Sequence, residues 1–440
     1  MTELIFSLDT EDFTSNTAAD AILEETRILR EEGVRGCFCV VGLLAAQLKN
    51  WGRQDVIDEL AHHEIGCHSY GHTLHPVLNE YTDIEDFDEA YREVVRQESE
   101  ALRLLKETFS LDSLCTACPP GNQKNYVAMY AYADMGLPIY ADTICDTPNG
   151  DGAYYCNTYQ IRYTYMLEEL MLTGDEEAMR RALDSLAGKH RAVCFTHPNN
   201  VLYTKGWDEI NYCKYNRAEF GKWEEAPRRP LADSLRFYEN FRKFVRMAKA
   251  DPRFQITTYG EIAKRLRAEA PRTVTRAHIP ALRAAIEREL YPTSTPLSLS
   301  LADMMLACRD LLLGEEAHTC GKVYGFLEDP FAIEVPITLH AADIRDSAVQ
   351  IKKDAFLPTA ITVGGVRIGP ADWLRAALAV LSGEDNVTIT PAAKMPSLRA
   401  LPELATASFR GDWMQSDEFL DRYISKRLRL QSWTMRFPTV

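Results

Sequence analysis

The chain has 440 residues, 46% of them hydrophobic, and a formal net charge of −15. A chain of this length and apolar content can bury a large core, and roughly two or three domains are expected. The acidic balance argues against nucleic acid or an anionic membrane as a main partner.

The cysteines and the first residues bear on the cellular compartment. Eleven cysteines are an odd number in a long chain, so a disulfide framework is not expected. Those in apolar runs, such as Cys37 and Cys39, are typical of reduced core cysteines. The chain starts without a basic segment and has no apolar run of membrane-spanning length. We therefore predict a cytoplasmic protein that does not bind membranes.

In chain order, residues 1–270 alternate short apolar runs with amphipathic stretches. Strands are predicted over residues 4–8, 36–41, 64–67, 113–117, 138–141, 192–196 and 254–257. Helices are predicted over residues 18–32, 53–62, 84–107, 126–135, 175–186 and 231–250. This alternation is typical of βαβ units around a parallel sheet. With about seven repeats, a distorted (β/α) barrel is favoured over an open sheet.

The predicted barrel indicates where functional side chains would lie. Residues at the C-terminal ends of barrel strands face the active site. The acidic run Asp9 to Asp12, together with His68, Asp142 and His197, falls at or just after such strand ends. These positions are therefore candidates for one common site.

An irregular, aromatic segment follows the strand predicted at residues 192–196. Its aromatic residues include Tyr203, Trp207, Tyr212, Tyr215 and Trp223. A loop this long inside a compact domain is often functional, and stacking on sugar rings is one interpretation. A loop packed on itself, or a subunit contact, is an equal alternative.

The pattern changes near residue 270, and residues 278–440 are predicted to form a smaller α+β domain with a weak internal repeat. One copy contains Tyr291-Pro-Thr, Ala302-Asp303 and Gly314-Glu315, and the other contains Leu357-Pro-Thr, Ala371-Asp372 and Gly383-Glu384. Each copy is expected to form an extended stretch, an amphipathic helix and a turn. The repeat weakly resembles cell-wall or pseudomurein-binding repeats. Domain packing or dimerisation, and hence a homo-oligomer, is a slightly favoured alternative.

The strongest local motif is His68-Ser-Tyr-Gly-His72. Histidines at i and i+4 on one helical turn can reach a single metal ion. Surface histidines are the alternative, because the neighbourhood is rich in histidine. The run Asp9-Thr-Glu11-Asp12 favours the metal, since three carboxylates at a buried strand end repel one another unless cations or protons offset them. Two histidines and one carboxylate with open positions are typical of a catalytic divalent metal site.

These motifs resemble the polysaccharide deacetylase family, carbohydrate esterase family four. Residues 8–13, Leu-Asp-Thr-Glu-Asp-Phe, are similar to its first motif, and His68-Ser-Tyr-Gly-His72 matches the H-[ST]-x-x-H motif. Residues 193–198, Val-Cys-Phe-Thr-His-Pro, are similar to the final motif, an apolar strand that ends in histidine. The resemblance covers about residues 1–265 and implies a hydrolase of non-peptide carbon–nitrogen bonds.

The resemblance also implies a metal site. His68 and His72 would bind the ion, expected to be Zn²⁺, together with Asp12 or Glu11. On a strand, Asp9 and Glu11 point the same way and Asp12 points oppositely. If the strand ends by Thr10, the chain can turn Asp12 inward, so Asp12 is preferred and Glu11 is the alternative.

The family's catalytic residues can be carried over in the same way. Asp9 would be the general base and His197 the general acid that protonates the leaving amine. Asp142 or Asp146, after the strand at residues 138–141, could orient His197, although a turn-capping role is an equal alternative.

The family's third motif, R-x-P-[YF]-G, is altered. Residues 116–122 read Thr-Ala-Cys-Pro-Pro-Gly-Asn, so the motif arginine is replaced by Ala117 or Cys118. If Pro120 is the motif proline, Gly121 supplies the backbone N–H for the oxyanion. The base would then be held by Lys124 or without a cation.

Three functions follow from these residues. The first is deacetylation of an N-acetylated sugar or glycoconjugate, so the substrate is a small molecule or an oligosaccharide. The second is hydrolysis of another small C–N substrate by the same metal site. The third, for which the missing arginine is the best support, is saccharide binding without catalysis.

Overall fold

The computed structural model describes residues 1–212 and 218–439, which form two compact units. Unit 1 comprises residues 1–151, 160–268 and 407–424. Unit 2 comprises residues 152–159, 269–406 and 425–440. The boundary therefore differs from a single cut near residue 270, because the chain returns to unit 1 at Ala407 and leaves it again after Ile424.

The first part of the chain supplies the strands of a curled sheet. They are β1 (Thr2–Thr10), β2 (Cys37–Val40), β3 (Glu64–Cys67), β4 (Thr116–Ala117), β5 (Ile139–Asp142), β7 (Thr158–Arg162), β8 (Tyr165–Met166), β9 (Arg191–Thr196) and β10 (Phe254–Ile256). The short strand β6 (Ala153–Tyr155) belongs to unit 2. In unit 1 the order is β7-β5-β4-β3-β2-β1-β9-β8, with β10 also paired to β1. The pairings of β1 with β2, β9 and β10 are parallel. The predicted α/β class with a distorted barrel is therefore confirmed.

Helices connect and cover these strands. They are α1 (Ala18–Glu31), α2 (Gly42–Asn50), α3 (Gln54–Leu60), α4 (Leu78–Thr82), α5 (Phe87–Phe109), α6 (Tyr126–Asp134), α7 (Glu168–Thr173), α8 (Glu176–Leu186), α9 (Asn199–Leu202), α10 (Trp207–Asn211), α11 (Leu231–Ala250) and α12 (Tyr259–Arg267). The long helix α5 shows why they form. Asp86 caps its first turn by accepting from the Glu89 N–H, and Ala90, Val94 and Ala101 lie on a buried face at helical spacing.

The central strand β1 positions the site. Its residues are buried apart from one that is half-buried, as expected for a strand covered on both sides. Asp9 lies beside Cys39 in the β1–β2 register, and Leu8 lies beside Thr196 of β9. The carboxyl ends of β1, β2 and β9 therefore meet at one edge of the sheet.

Unit 2 has its own core and its own short strands. They are β11 (Thr273–Thr275), β12 (Ala317–Thr319), β13 (Ile337–His340), β14 (Ile361–Val363), β15 (Val366–Ile368) and β16 (Asn386–Ile389). Its helices are α13 (Ile279–Arg288), α14 (Leu301–Leu312), α15 (Ala341–Ser347), α16 (Pro370–Leu381), α17 (Pro402–Ala405) and α18 (Ile424–Leu430), the last beginning at the unit boundary. Trp373 and Trp433 are fully buried in this core.

The internal repeat is visible in unit 2. In the first copy, antiparallel strands β11 and β12 enclose α13 and α14, and in the second, antiparallel β13 and β16 enclose α15 and α16. Asp303 and Asp372 occupy the same place in the first turn of α14 and α16, where each accepts a backbone N–H from the capping residue. The hairpin β14–β15 is an addition to the second copy.

No disulfide joins the cysteines within residues 1–212 and 218–439, and Cys213 lies outside the described residues. Across the same parts of the chain, no helix combines the length and the apolar character needed to cross a membrane.

Candidate metal centre and active site

Glu11, His68 and His72 form a buried cluster at the carboxyl edge of the sheet. One ligand atom from each lies within 4.8 Å of the others. Glu11 Oε2 is 2.7 Å from His72 Nε2 and 3.5 Å from His68 Nε2. This is a two-histidine, one-carboxylate donor set, the kind that holds a catalytic metal and leaves positions open for substrate.

The two histidines lie on a loop, and the expected helical turn is not present. His68 follows β3, and both Ser69 (φ 65°) and His72 (φ 52°) adopt left-handed backbone conformations. Such conformations are unfavourable for residues with a Cβ and are concentrated at functional sites. The loop brings the imidazole ring centroids to 5.1 Å. His68 Nδ1 lies 2.8 Å from the Cys118 carbonyl; in the tautomer that donates this bond, Nε2 is free for a metal.

The structure places Glu11, and not Asp12, against these histidines. Strand β1 ends at Thr10, yet the carboxylate beside His68 and His72 is that of Glu11. The preferred turn that would bring Asp12 inward does not occur. Asp12 instead accepts hydrogen bonds from the Thr14 N–H at 2.8 Å and the Thr14 hydroxyl at 2.6 Å. The alternative ligand, Glu11, therefore replaces Asp12 in the cluster.

The charge states agree with this geometry. Burial would raise the pKa of the Glu11 carboxyl, but the His72 and His68 imidazoles outweigh it and hold this pKa well below its ordinary value. Burial alone would lower the pKa of the His72 imidazole. The charge of Glu11 outweighs the effect of burial, so the pKa of His72 is raised. Burial raises the pKa of Asp12 to about 7 despite its hydrogen bonds from Thr14. Glu11 is therefore the fully charged carboxylate at neutral pH.

Trp207 of α10 supports the cluster from the aromatic loop. Its indole Nε1 donates to Glu11 Oε1 at 3.3 Å, and its ring lies 5.3 Å from that of His72. Phe13 packs against Trp207 and Trp223 in turn. This agrees with a loop packed on itself, since Trp207 is buried. Tyr215, another aromatic residue predicted for this loop, lies outside the described residues.

His197 stands on the other side of the site. Its Nε2 lies 3.7 Å from Asp9 Oδ2. Its Nδ1 and its backbone N–H both bond to Glu168 Oε1 at the start of α7, the latter at 2.9 Å. The site thus pairs a carboxylate with an imidazole that a second carboxylate orients, which is an arrangement suited to proton transfer.

The prediction that Asp142 or Asp146 orients His197 is wrong, because Glu168 has this position. Strand β8, which leads into Glu168, is the direct neighbour of β9, whereas β5 lies on the far side of β1 in the sheet. Asp142 accepts a hydrogen bond from the Thr143 hydroxyl. Asp146 lies 3.7 Å from the Arg162 guanidinium. Neither acid contacts His197.

The charge of Glu168 sets the protonation of His197. Burial would lower the pKa of this imidazole, but the hydrogen bond and charge of Glu168, with smaller contributions from Glu11 and Asp9, raise the pKa to about 10. His197 is therefore an imidazolium at neutral pH. That is the form required of a general acid.

Tyr163, which follows β7, holds Asp9. Its hydroxyl donates to Asp9 Oδ1 at 2.7 Å. Lys124, considered as a substitute for the motif arginine, lies instead 3.8 Å from Asp142 and donates to the Asn122 carbonyl. The anchor of Asp9 is therefore a neutral phenol.

The altered third motif is covered by the returning segment, residues 407–424. Gly121 adopts φ 54°, and a Cβ there would overlap Met414 and lie 2.8 Å from the Trp413 ring. The segment is tied down by the Ser416 N–H, which donates to Glu80 at 2.6 Å. Glycine is thus required at residue 121 by both conformation and space.

The cluster fits a divalent ion. Its three donor side chains are buried and lie close together. The buried His72 Nε2 lies near Glu11 but makes no hydrogen bond of normal geometry. His68 and Glu11 are each fixed by a neighbour, the Cys118 carbonyl and the Trp207 indole. Such outer contacts orient ligands before an ion binds.

Comparison with known proteins gives similarity of fold only. No family model and no curated protein matches the chain. A protein of Mycobacterium smegmatis named as a polysaccharide deacetylase is 17% identical, with 62% of this chain and 93% of that chain covered and a TM-score of 0.40. Puue allantoinase is 14% identical, with 61% and 90% covered and a TM-score of 0.39.

A pseudoenzyme of carbohydrate esterase family four from Bacillus anthracis is also similar, at 12% identity, with 45% of this chain and 55% of that chain covered and a TM-score of 0.29. The predicted resemblance to polysaccharide deacetylases is confirmed as a similarity of fold over about 60% of the chain. Because these TM-scores are 0.40 or lower, the function must be argued from the site.

Proposed function

We propose that unit 1 is a metal-dependent hydrolase that removes the acetyl group from an N-acetylated sugar or glycoconjugate. The observation that carries the proposal is the pairing of two sets of residues at one strand edge. Glu11, His68 and His72 form a metal-type cluster, and Asp9 and His197 face each other at 3.7 Å beside it. Metal-dependent amide hydrolysis combines a Lewis acid with proton-transfer groups.

Glu11, His68 and His72 would hold the ion, for which Zn²⁺ is the expected identity. When bound, a divalent ion supplies polarisation of the amide carbonyl and acidification of water. Asp9, fixed by Tyr163, accepts the proton of the attacking water.

His197 acts in the second step of the reaction, in which the amine leaves. Held as an imidazolium by Glu168, it gives its proton to the leaving nitrogen, which could not depart as an anion. The N–H of Gly121 lies in the altered third motif and is the proposed donor to the oxyanion.

The direct test is metal content together with product analysis. Full-length protein is purified with added Zn²⁺, and bound metal is measured by mass spectrometry for wild type and for His68→Ala/His72→Ala. We expect about one equivalent at this site in wild type and its loss in the variant. The wild type is then incubated with N-acetylglucosamine oligomers, and both acetate and ammonia are quantified.

The products separate the three functions. Acetate release that depends on His68 and His72 supports the deacetylase. Ammonia release from ureides or imides without acetate release would identify hydrolysis of another small C–N substrate. Saccharide binding without either product, or a site that takes no metal, would leave the chain a non-catalytic saccharide-binding protein.

A further inference from the structure

A second cluster of potential metal ligands adjoins the proposed active site. Asp9, Cys39 and Cys118 offer a carboxylate oxygen and two thiol sulfurs that all lie within 4.8 Å of one another. All three side chains are buried. The proposed reaction uses Asp9 but gives the two thiols no role.

Sheet register brings the cluster together. Asp9 lies opposite Cys39 in the β1–β2 pairing, and Cys118 follows β4, where its N–H donates to the Cys67 carbonyl. Gly66 lies opposite Cys39 in the β2–β3 pairing. A Cβ at Gly66 would be only 3.0 Å from the Cys39 sulfur. The glycine therefore leaves the space that this sulfur occupies.

The neighbouring Cys115 does not belong to the cluster. Cys115 and Cys118 have C-x-x-C spacing, which often marks a zinc or redox pair. The Cys115 thiol, however, lies 3.5 Å from Glu64 Oε1 and donates to it. The partner of Cys118 is thus Cys39, from a different strand.

The surroundings of the two thiols are polar. The Ser7 hydroxyl lies 4.0 Å from the Cys39 sulfur. Tyr259 is fully buried nearby, and Ser7 and Tyr163 contribute further hydroxyls. The pKa of Tyr259 is raised well above its ordinary value, first by burial and then by Cys118 and Cys39, so its hydroxyl faces the same interior.

We propose that Asp9, Cys39 and Cys118 form a second metal site, selective for thiophilic divalent ions such as Zn²⁺ and Cd²⁺. Two sulfur donors favour these ions over Mg²⁺ and Mn²⁺, which prefer oxygen. Binding replaces the two thiol protons, which pass to solvent, and no atom is oxidised or reduced. The site is distinct from Glu11, His68 and His72, which offer no sulfur.

Occupation of this site has a consequence that rests on the proposed function. A carboxylate oxygen that coordinates an ion is not available to accept a proton. An ion held by Asp9, Cys39 and Cys118 would therefore inhibit hydrolysis. Excess Zn²⁺ would then act as an inhibitor, while the first equivalent supports activity.

Cadmium provides a readout that does not depend on activity. Full-length protein is stripped with a chelator under reducing conditions and titrated with Cd²⁺, and the ultraviolet sulfur-to-cadmium charge-transfer band and the bound metal are recorded. We expect about two equivalents and the band in wild type. Cys39→Ser/Cys118→Ser should lose the band and one equivalent. Cys194→Ser, which removes a buried thiol of β9 outside the cluster, should change neither.

The variants separate this proposal from the previous one. His68→Ala/His72→Ala should keep the charge-transfer band and lose the equivalent bound by Glu11, His68 and His72. If that variant binds as much metal as wild type, only the proposed function is contradicted. The second site is refuted if wild type shows no band, or if the band survives in Cys39→Ser/Cys118→Ser. Because the double variant removes two buried thiols, Cys39→Ser and Cys118→Ser are also tested singly with circular dichroism. Each folded single variant should bind Cd²⁺ at least tenfold more weakly, and unchanged affinity in both overturns the site.

Discussion

The Tyr163 hydroxyl donates a hydrogen bond of 2.7 Å to Asp9, the residue placed as general base. The phenol ring is fixed by stacking on Phe195, with centroids 4.6 Å apart. In the family that the motifs resemble, a third-motif arginine has this anchoring role, and here Ala117 or Cys118 stands in its place. A neutral donor therefore positions Asp9, the proposed base, without the charge that an arginine would add.

Tyr163→Phe should lower kcat with little change in KM, because it removes a hydrogen bond to a charged group without altering the ring. Such bonds contribute about 1.5–3 kcal/mol, which corresponds to a decrease of roughly tenfold to a hundredfold. Acetate release measures the rate, and metal content should stay at the wild-type level. Tyr165→Phe, with no Asp9 contact described, is the control. Equal rates for wild type and Tyr163→Phe would contradict a positioning role.

Glu168→Gln should lower the pKa of His197, because the hydrogen bond to the Glu168 carboxylate and the charge of that carboxylate are the main influences that oppose burial. With its pKa raised to about 10, the wild-type imidazole is protonated below that pH. In the variant the pKa of the His197 imidazole should fall by more than about one unit. One unit corresponds to about 1.4 kcal/mol of lost stabilisation of the imidazolium. NMR titration of the His197 ring measures this without a substrate. Glu169→Gln, at the exposed neighbouring residue, should leave the titration unchanged.

Much of the fold of unit 1 follows from local pattern. The alternation of apolar runs and amphipathic stretches predicted β1, β9 and α11 close to their observed bounds. The return of residues 407–424 to unit 1 could not be predicted, because it depends on contacts such as that between Ser416 and Glu80, 336 residues apart. No periodic pattern in the segment indicates where it packs.

The site was predictable where a motif carries it and not where packing does. His68, His72 and His197 came from spacing and strand ends. Glu168 follows an exposed two-residue strand, β8, that no hydrophobic pattern marks. The choice of Glu11 over Asp12 depended on the path of the chain after β1 ends at Thr10, which sequence patterns do not resolve.

Trp207→Phe should weaken metal binding by about tenfold to a hundredfold, the range expected for loss of a contact that orients a ligand. Phenylalanine keeps an aromatic ring beside His72 but removes the indole N–H that fixes Glu11. Competition with a chromophoric chelator measures the Zn²⁺ affinity. Trp223 lies in the same aromatic cluster, but its indole N–H donates to Tyr212 and not to Glu11. The Zn²⁺ affinity of Trp223→Phe should therefore match that of wild type. If both variants bind like wild type, Trp207 has no role in orienting the ligand.

Glu98→Gln should remove a pH dependence from the stability of unit 1. Glu98 is buried on α5, where it accepts from Tyr132 at 2.8 Å, and burial raises its pKa to about 7 from 4.5. Between these values the folded state binds the proton and the unfolded state does not, so wild-type stability falls as pH rises, by up to about 3 kcal/mol in total.

The stability of wild type relative to Glu98→Gln should therefore decrease from pH 4.5 to 7 and level off above pH 7. Urea unfolding of both proteins across this range gives the difference, in which the other titrating groups cancel. Glu100→Gln, at a partly exposed position of the same helix, should show no such decrease. Parallel curves for wild type and Glu98→Gln would mean that Glu98 is ionised in the folded protein, with a charged partner that offsets its burial.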